Sequence, residues 1–258
     1  RIKISGSAAA LSALEITGNT PNEELTAFRK ELEGLGRPSQ KVLEQKAQAF
    51  IENHPASLVS IYLLETYFVD KASPDFALIR RLTDRITGEL KDRPSMNRLL
   101  TLIREEEKIA VGNGMPYIHQ SNAKGTDISQ TSFRDKYVLI HFWASWNQPS
   151  RKANAALRRI YKKEAKSKLF TLWGISLDTD REAWQKAIEQ DTLKWEQTCD
   201  FAGWNSSSAT QLCIHTLPAN LLIDRWGRIE GKNLTAEEVE KKLDEWKQQE
   251  KQNHRHAH

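Results

Sequence analysis

The sequence predicts an α/β protein in which a mixed sheet is flanked by helices and preceded by a mostly helical N-terminal region. Between residues 21 and 111, apolar residues recur every three or four positions, a spacing typical of amphipathic helices. A Gly-Asn-Gly-Met-Pro break at residues 112–116 ends that pattern. Beyond the break, short apolar runs alternate with helical segments, which is the order of an α/β sandwich.

The 258 residues are enough for one to two domains with cores of their own. We predict a helical region over residues 1–111 with a short β segment at its start, an α/β domain over 112–250 and a flexible tail over 251–258. No basic and then apolar leader follows Arg1, so we expect a targeting segment to have been removed or never to have existed. The apolar runs fall far short of the ~20 residues of a membrane helix, so we expect no membrane span.

Proline-containing pairs divide the N-terminal region into four or five predicted helices, because proline is well accommodated in the first helical turn. The pairs are Pro38-Ser39, His54-Pro55, Ser73-Pro74 and Pro94-Ser95. No residue pattern in this region predicts chemistry.

Three apolar runs rich in β-branched and aromatic residues predict buried strands of the α/β domain. The runs are residues 137–144, 169–177 and 219–224. A helix follows the first run directly, and Thr179 with Glu182 can cap the helix after the second. The third leads through a turn to residues 228–232 and a final helix that ends near Gln249.

The net charge of +4 is concentrated on one predicted helix. Eight basic residues and a single acid, Glu164, lie between Arg151 and Lys168. Apolar residues recur at helical spacing among them, so the charges fall on the opposite, solvated face. Because this segment lacks the interleaved aromatic residues that single-stranded nucleic acid requires, we expect no nucleic-acid partner.

The residues that carry the chemistry lie at the end of the first predicted strand, where residues 142–150 read FWASWNQPS. This segment resembles the F-W-A-x-W-C-x-P-C signature of bacterial thioredoxin-like thiol-disulfide oxidoreductases of the TlpA-like branch, relatives of the AhpC/TSA proteins. Seven of the nine positions fit, and the two that differ are the cysteines. Residues 203–206 and 217–224 also resemble the family, whose cis-proline would be Pro218. The resemblance covers residues 112–248 and implies a thioredoxin-like fold.

The two replaced positions decide the predicted chemistry. Thiol-disulfide exchange requires a thiolate to attack a sulfur atom. Asn147 stands at the attacking position and Ser150 at the resolving one, and neither side chain contains sulfur. We therefore predict that the degenerate segment Asn147, Gln148, Pro149 and Ser150 is not catalytic, and we expect no cofactor.

The two cysteines of the chain, Cys199 and Cys213, lie outside this segment and lack CxxC spacing. They are interpreted as inert core thiols, because cysteine is among the most buried residue types. A structural or regulatory disulfide across the 13 intervening residues is the alternative.

The histidines are weaker candidates. His141 on a buried strand is interpreted as a core residue, and His215 as a residue at the edge of a groove. A nucleophilic triad of Ser150, His215 and an aspartate lacks the G-x-S-x-G motif that would support it. At the C-terminus three histidines alternate without a closed ligand shell, and we predict no metal site. They are His254, His256 and His258.

The resemblance implies a protein of the bacterial periplasm or cell envelope. In active relatives a substrate peptide lies extended against the segment before the cis-proline, and this strand addition needs no cysteine. We therefore predict a redox-inactive member that keeps a groove for a peptide or protein at Trp146, Leu217 and Pro218. The alternatives are an active oxidoreductase that uses Cys199 and Cys213, and a purely structural domain.

Overall fold

The computed structural model describes residues 3–5, 15–69, 71, 74–164 and 169–256. The chain divides into two compact units, Arg1–Arg104 and Glu105–His258. Among the helices of these described ranges, none has both the length and the apolar character that crossing a bilayer requires.

The first unit is mostly helical, as the spacing of its apolar residues predicts. Its helices are α1 (Thr20–Glu33), α2 (Gln40–Asn53), α3 (Leu58–Leu64), α4 (Phe76–Arg85) and α5 (Pro94–Lys108), the last of which ends in the second unit. Short strands β1 (Lys3–Ser5) and β2 (Glu15–Thr17) pair antiparallel before them.

Polar side chains fix where the helices of the first unit begin. An oxygen of the residue before each of α1 to α4 accepts a hydrogen bond from an amide of the first turn, which satisfies a donor that the helix leaves unpaired. These residues are Asn19, Ser39, Ser57 and Asp75. The apolar faces of the helices meet in a core that includes Phe28, Ile51, Leu64, Ile79 and Leu99.

The second unit is built on a five-stranded mixed sheet. The strands and helices of the unit are β3 (His119–Ser121), β4 (Asp127–Ser129), β5 (Tyr137–Trp143), α6 (Gln148–Glu164), β6 (Phe170–Ser176), α7 (Arg181–Gln190), β7 (Glu196–Cys199), α8 (Ser207–Gln211), β8 (Ala219–Ile223), β9 (Ile229–Lys232) and α9 (Ala236–His256). The order in the sheet is β7-β6-β5-β8-β9, and β3 pairs with β4 in a separate hairpin. Strands β5, β6 and β7 are parallel, whereas β8 and β9 run antiparallel to their neighbours. The predicted fold class is confirmed.

The three predicted apolar strands are β5, β6 and β8, and each is buried almost throughout. Strand β7 was not predicted, because its residues Glu196–Cys199 are mostly polar. Two buried side-chain oxygens of this strand accept hydrogen bonds, which offset the cost of burying them. The Trp143 indole donates to Gln197 Oε1 at 3.0 Å, and the Trp173 indole donates to Thr198 Oγ1 at 3.0 Å. The final helix continues to His256, beyond its predicted end near Gln249.

The central strand sends alternate side chains into two separate cores, one on each face of the sheet. Val138, Ile140 and Phe142 enter one core, which α8 and the segment after α5 cover. Leu139 and Trp143 enter the other, which α6, α7 and α9 cover. The sheet therefore separates any two groups that pack into different cores.

Candidate functional site

Strand register brings the degenerate segment and the segment around Pro218 to one end of the sheet. Phe142 of β5 pairs with Ala219 of the antiparallel strand β8. Continuing this register by two residues places Ala144 opposite Leu217. The loop that follows β5 and the segment that precedes β8 therefore leave the sheet side by side.

Asn147 acts as the N-cap of α6. The amide of Ser150 donates a hydrogen bond to Asn147 Oδ1 at 2.8 Å, and the amide of Arg151 donates to the Asn147 carbonyl oxygen at 3.1 Å. A helix N-terminus carries a partial positive charge and free amides, and in thiol-disulfide enzymes these stabilise a thiolate. Here a neutral amide oxygen takes that hydrogen bond instead.

Ser150 is fully buried in the first turn of α6. Its hydroxyl donates to the Asn147 carbonyl oxygen at 2.8 Å and accepts from the Ala144 amide at 3.3 Å. Among the described residues, the hydrogen bonds of the Ser150 hydroxyl go to main-chain groups and not to a histidine ring. Ser150 bonds to the main chain and His215 lies beside Glu106, so the two do not form a nucleophilic triad.

A buried carboxylate, which the sequence analysis missed, holds the loop between β5 and α6. Asp178 is 1% exposed and lies just beyond β6. It accepts hydrogen bonds from the Ser145 amide at 2.9 Å, the Ser145 hydroxyl at 2.5 Å and the Ser176 hydroxyl at 2.6 Å. The only signal in the sequence is its position directly after an apolar run.

The residues predicted to bind a peptide are accessible. Trp146 is 54% exposed, Pro218 is exposed and Leu217 is partly exposed. The Leu217–Pro218 peptide bond is cis. Across the described residues, the main-chain groups of Thr216 and Leu217 make no hydrogen bond, so they are available to an added strand.

The two cysteines are free thiols, and the disulfide that was considered between them does not form. Cys199 belongs to the core on the α6 face of the sheet, whereas Cys213 packs against the core on the other face. Burial raises the pKa of each thiol to about 11. Both thiols are therefore protonated at neutral pH, and the sheet separates them.

His141 is a core residue, as expected. It is 1% exposed, and its ring lies close to the Asn154 side chain and to the main chain of Ser150 and Ala219, but within the described part of the chain no contact of either ring nitrogen has the geometry of a full hydrogen bond. Desolvation lowers the pKa of His141 to about 4, so the ring is neutral at pH 7. His215, in contrast, is exposed, and its Nε2 lies 3.7 Å from Oε1 of Glu106.

Comparisons with known proteins show which family the chain resembles. The AhpC/TSA family profile matches residues 111–232. A thiol-disulfide oxidoreductase ResA of Bacillus thuringiensis is 25% identical over 142 residues, which cover 55% of this chain and 79% of that protein.

Two solved structures extend the comparison. The C-terminal domain of a putative thiol-disulfide oxidoreductase from Bacteroides thetaiotaomicron is 47% identical, with a TM-score of 0.52, over 54% of this chain and 96% of that domain. A thioredoxin-like protein from Bacteroides caccae, 13% identical, shares the fold over 80% of this chain and 77% of its own, with a TM-score of 0.62. The chain thus belongs to the thioredoxin-like AhpC/TSA family of bacterial thiol-disulfide oxidoreductases.

Proposed function

We propose that this chain is a redox-inactive thioredoxin-fold protein of the bacterial envelope that binds an extended peptide or protein segment. The observation that carries the proposal is the contact between Asn147 and Ser150 at the start of α6. Where a catalytic thiolate would accept the amide hydrogen bond, the Asn147 side chain accepts it. An amide oxygen cannot attack a disulfide, and the buried Ser150 hydroxyl cannot resolve one.

The remaining sulfur atoms support the loss of exchange chemistry. The nucleophile in thiol-disulfide exchange is the thiolate, and active cysteines have lowered pKa values. The pKa values of Cys199 and Cys213 are raised to about 11. Because these thiols also pack into different cores, neither can resolve a mixed disulfide formed by the other.

The proposal of peptide binding rests on the exposed surface formed by Trp146, Thr216 and Leu217. An exposed indole at Trp146 offers an apolar contact, and tryptophan is enriched among residues that dominate binding energy. The main chain of Thr216 and Leu217, free of hydrogen bonds among the described residues, offers donors and acceptors to an extended segment. The exposed indole and the free main-chain groups are suited to strand addition, in which main-chain hydrogen bonds provide affinity and side-chain contacts provide specificity.

The envelope location rests on the resemblance of residues 142–150 to the TlpA-like branch. Fractionation of cells that express the natural gene, followed by immunoblotting, tests it directly. Recovery in the cytosolic fraction would contradict the location without affecting the binding proposal.

One protein substrate tests both halves of the proposed function. We expect no reduction of insulin disulfides above the rate with dithiothreitol alone. We expect S-carboxymethylated insulin B chain to bind in solution and to change the tryptophan fluorescence of the chain. We also expect the chain to bind cysteine-free peptides on an array. A Trp146→Ala substitution should weaken binding at least tenfold, whereas Trp226→Ala, which removes an indole that is 73% exposed elsewhere, should not.

Turnover of insulin disulfides would overturn the redox half of the proposal. Turnover that is lost on Cys213→Ser would favour the alternative oxidoreductase. An array on which no peptide binds would overturn the binding half and favour a purely structural domain.

A further inference from the structure

We propose that Glu106, Cys213 and His215 form a binding site for a zinc ion. One ligand atom from each residue can be chosen so that the three lie within 4.8 Å of one another. The thiolate, imidazole and carboxylate that these residues offer are the three ligand types that zinc takes in proteins. This inference does not depend on the proposed function.

The spacing of the ligand atoms is close to that of a zinc site. With metal-ligand bonds of about 2.0 to 2.3 Å, two ligands of a tetrahedral zinc lie roughly 3.3 to 3.8 Å apart. His215 Nε2 and Glu106 Oε1 are already 3.7 Å apart. The His215 side chain is 63% exposed, so small rotations can close the remaining distance.

The local chain conformation places the side chains of Cys213 and His215 on the same side of the main chain, near Glu106. Both lie in the connection between α8 and β8, where the intervening Ile214 is buried in the core. Cys213 adopts a φ of +50°, a left-handed conformation that few residues other than glycine occupy. Residues in such conformations are concentrated at functional sites, and this one flanks the proposed ligand set.

Lys232 is compatible with metal binding because it uses only one oxygen of the carboxylate. Its Nζ lies 2.8 Å from Glu106 Oε2, and the side chains of Lys232 and Glu106 are only 12% and 10% exposed. Oε1 remains for the metal, and the ammonium group fixes the orientation of the carboxylate, as outer partners of metal ligands commonly do. Binding would release the Cys213 proton to solvent, giving two anionic ligands for the dication.

Three protein ligands leave the fourth position of a tetrahedral ion for water, as in open zinc sites. Hard cations such as Mg²⁺ prefer oxygen ligands, so we expect them not to compete. The occupant is therefore a borderline-soft divalent ion, and Co²⁺ can replace zinc as a spectroscopic probe.

Cobalt titration of the full chain under reducing conditions tests the site. We expect a thiolate-to-cobalt charge-transfer band that saturates at one ion per chain and is abolished by zinc. Cys213→Ser should remove the band, whereas Cys199→Ser, the matched control at the other cysteine, should retain it. His215→Ala and Glu106→Gln should each weaken binding at least tenfold. The histidines at the C-terminus can bind cobalt, but imidazole alone does not produce this band.

A second measurement uses the unaltered chain, so that a poorly folded variant cannot obscure the result. We expect zinc to slow alkylation of Cys213 by iodoacetamide, located by peptide mass mapping, and magnesium to have no effect. A chain without the cobalt band would overturn the proposal, as would a band that survives Cys213→Ser or alkylation of Cys213 at the same rate with and without zinc.

Discussion

Asn147 and Ser150 hold each other through two hydrogen bonds across the first turn of α6. The Ser150 amide donates to the Asn147 side chain at 2.8 Å, and the Ser150 hydroxyl donates to the Asn147 carbonyl oxygen at 2.8 Å. The residues that replace the catalytic pair therefore complete a helix N-terminus. Asn147 and Ser150, which stand where the family signature has cysteines, thus make the hydrogen bonds that a helix start requires.

The contribution of the Asn147 cap to the free energy of unfolding can be measured. Asn147→Ala should lower the free energy of unfolding by about 1 kcal/mol, because a first-turn amide loses its acceptor. Asn147→Asp should retain the stability or raise it by about 0.3 to 1 kcal/mol, since a carboxylate also interacts favourably with the helix dipole. Urea denaturation is the measurement, with Gln148→Ala at an exposed neighbouring position as the control. An Asn147→Ala variant as stable as this control would contradict the capping role.

Restoring sulfur should restore exchange chemistry. In an Asn147→Cys/Ser150→Cys double variant, we expect reduction of insulin disulfides in the presence of dithiothreitol, because the N-terminus of α6 still lowers the pKa of a thiol at position 147. The control is Asn147→Ser/Ser150→Ala, which lacks sulfur at both positions and should remain inactive. An inactive double variant with a folded circular dichroism spectrum would mean that more than the two cysteines has been lost.

The Asp178 carboxylate should be important for stability. Asp178→Ala leaves the Ser145 amide, the Ser145 hydroxyl and the Ser176 hydroxyl without their acceptor in a largely buried setting. We expect a loss of about 2 to 4 kcal/mol, from an unpairing cost of about 1 to 3 kcal/mol per group that relaxation partly relieves. Asp84→Ala, at an exposed position, should change stability by less than about 0.5 kcal/mol. Thermal denaturation of both variants decides the question, and equal losses would contradict this role.

Protonation of His141 should make the fold sensitive to acid. Its pKa is lowered from 6.5 to about 4 by burial, so the unfolded chain binds a proton in this range that the folded chain excludes. The free energy of unfolding therefore falls as the pH drops from about 6.5 to 4. Over this range the free energy of unfolding should fall by roughly 3 kcal/mol, because each unit of pKa difference between the folded and unfolded chain contributes about 1.36 kcal/mol. His141→Leu should flatten this part of the pH profile, whereas His119→Ala, at an exposed position, should not. Identical acid profiles for the original chain and His141→Leu would contradict the prediction.

The fold was predictable where burial follows from apolar residues in sequence. Strands β5, β6 and β8 are apolar runs, and in the helices of the first unit apolar residues recur every three or four positions. Strand β7 was not predictable in this way, because Gln197 and Thr198 are polar and the indoles that donate hydrogen bonds to them lie far away in the chain. Polar residues of this kind carry no local signal of burial.

The candidate site was predictable only in part, for the same reason. The absence of sulfur at Asn147 and Ser150 can be read directly from a motif of nine residues. The hydrogen bonds of Asp178 and the ion pair of Glu106 depend on partners that are distant in sequence, Ser145 and Lys232. No spacing rule links such residues, and only the folded chain brings them together.

Because the sheet separates the two thiols, the pattern of covalent bonds within the folded chain does not depend on whether its surroundings are oxidising or reducing. An oxidising compartment cannot cross-link Cys199 to Cys213, and a reducing one has no internal bridge to break. The stability of the folded form should consequently stay the same when the chain passes from one such compartment to the other.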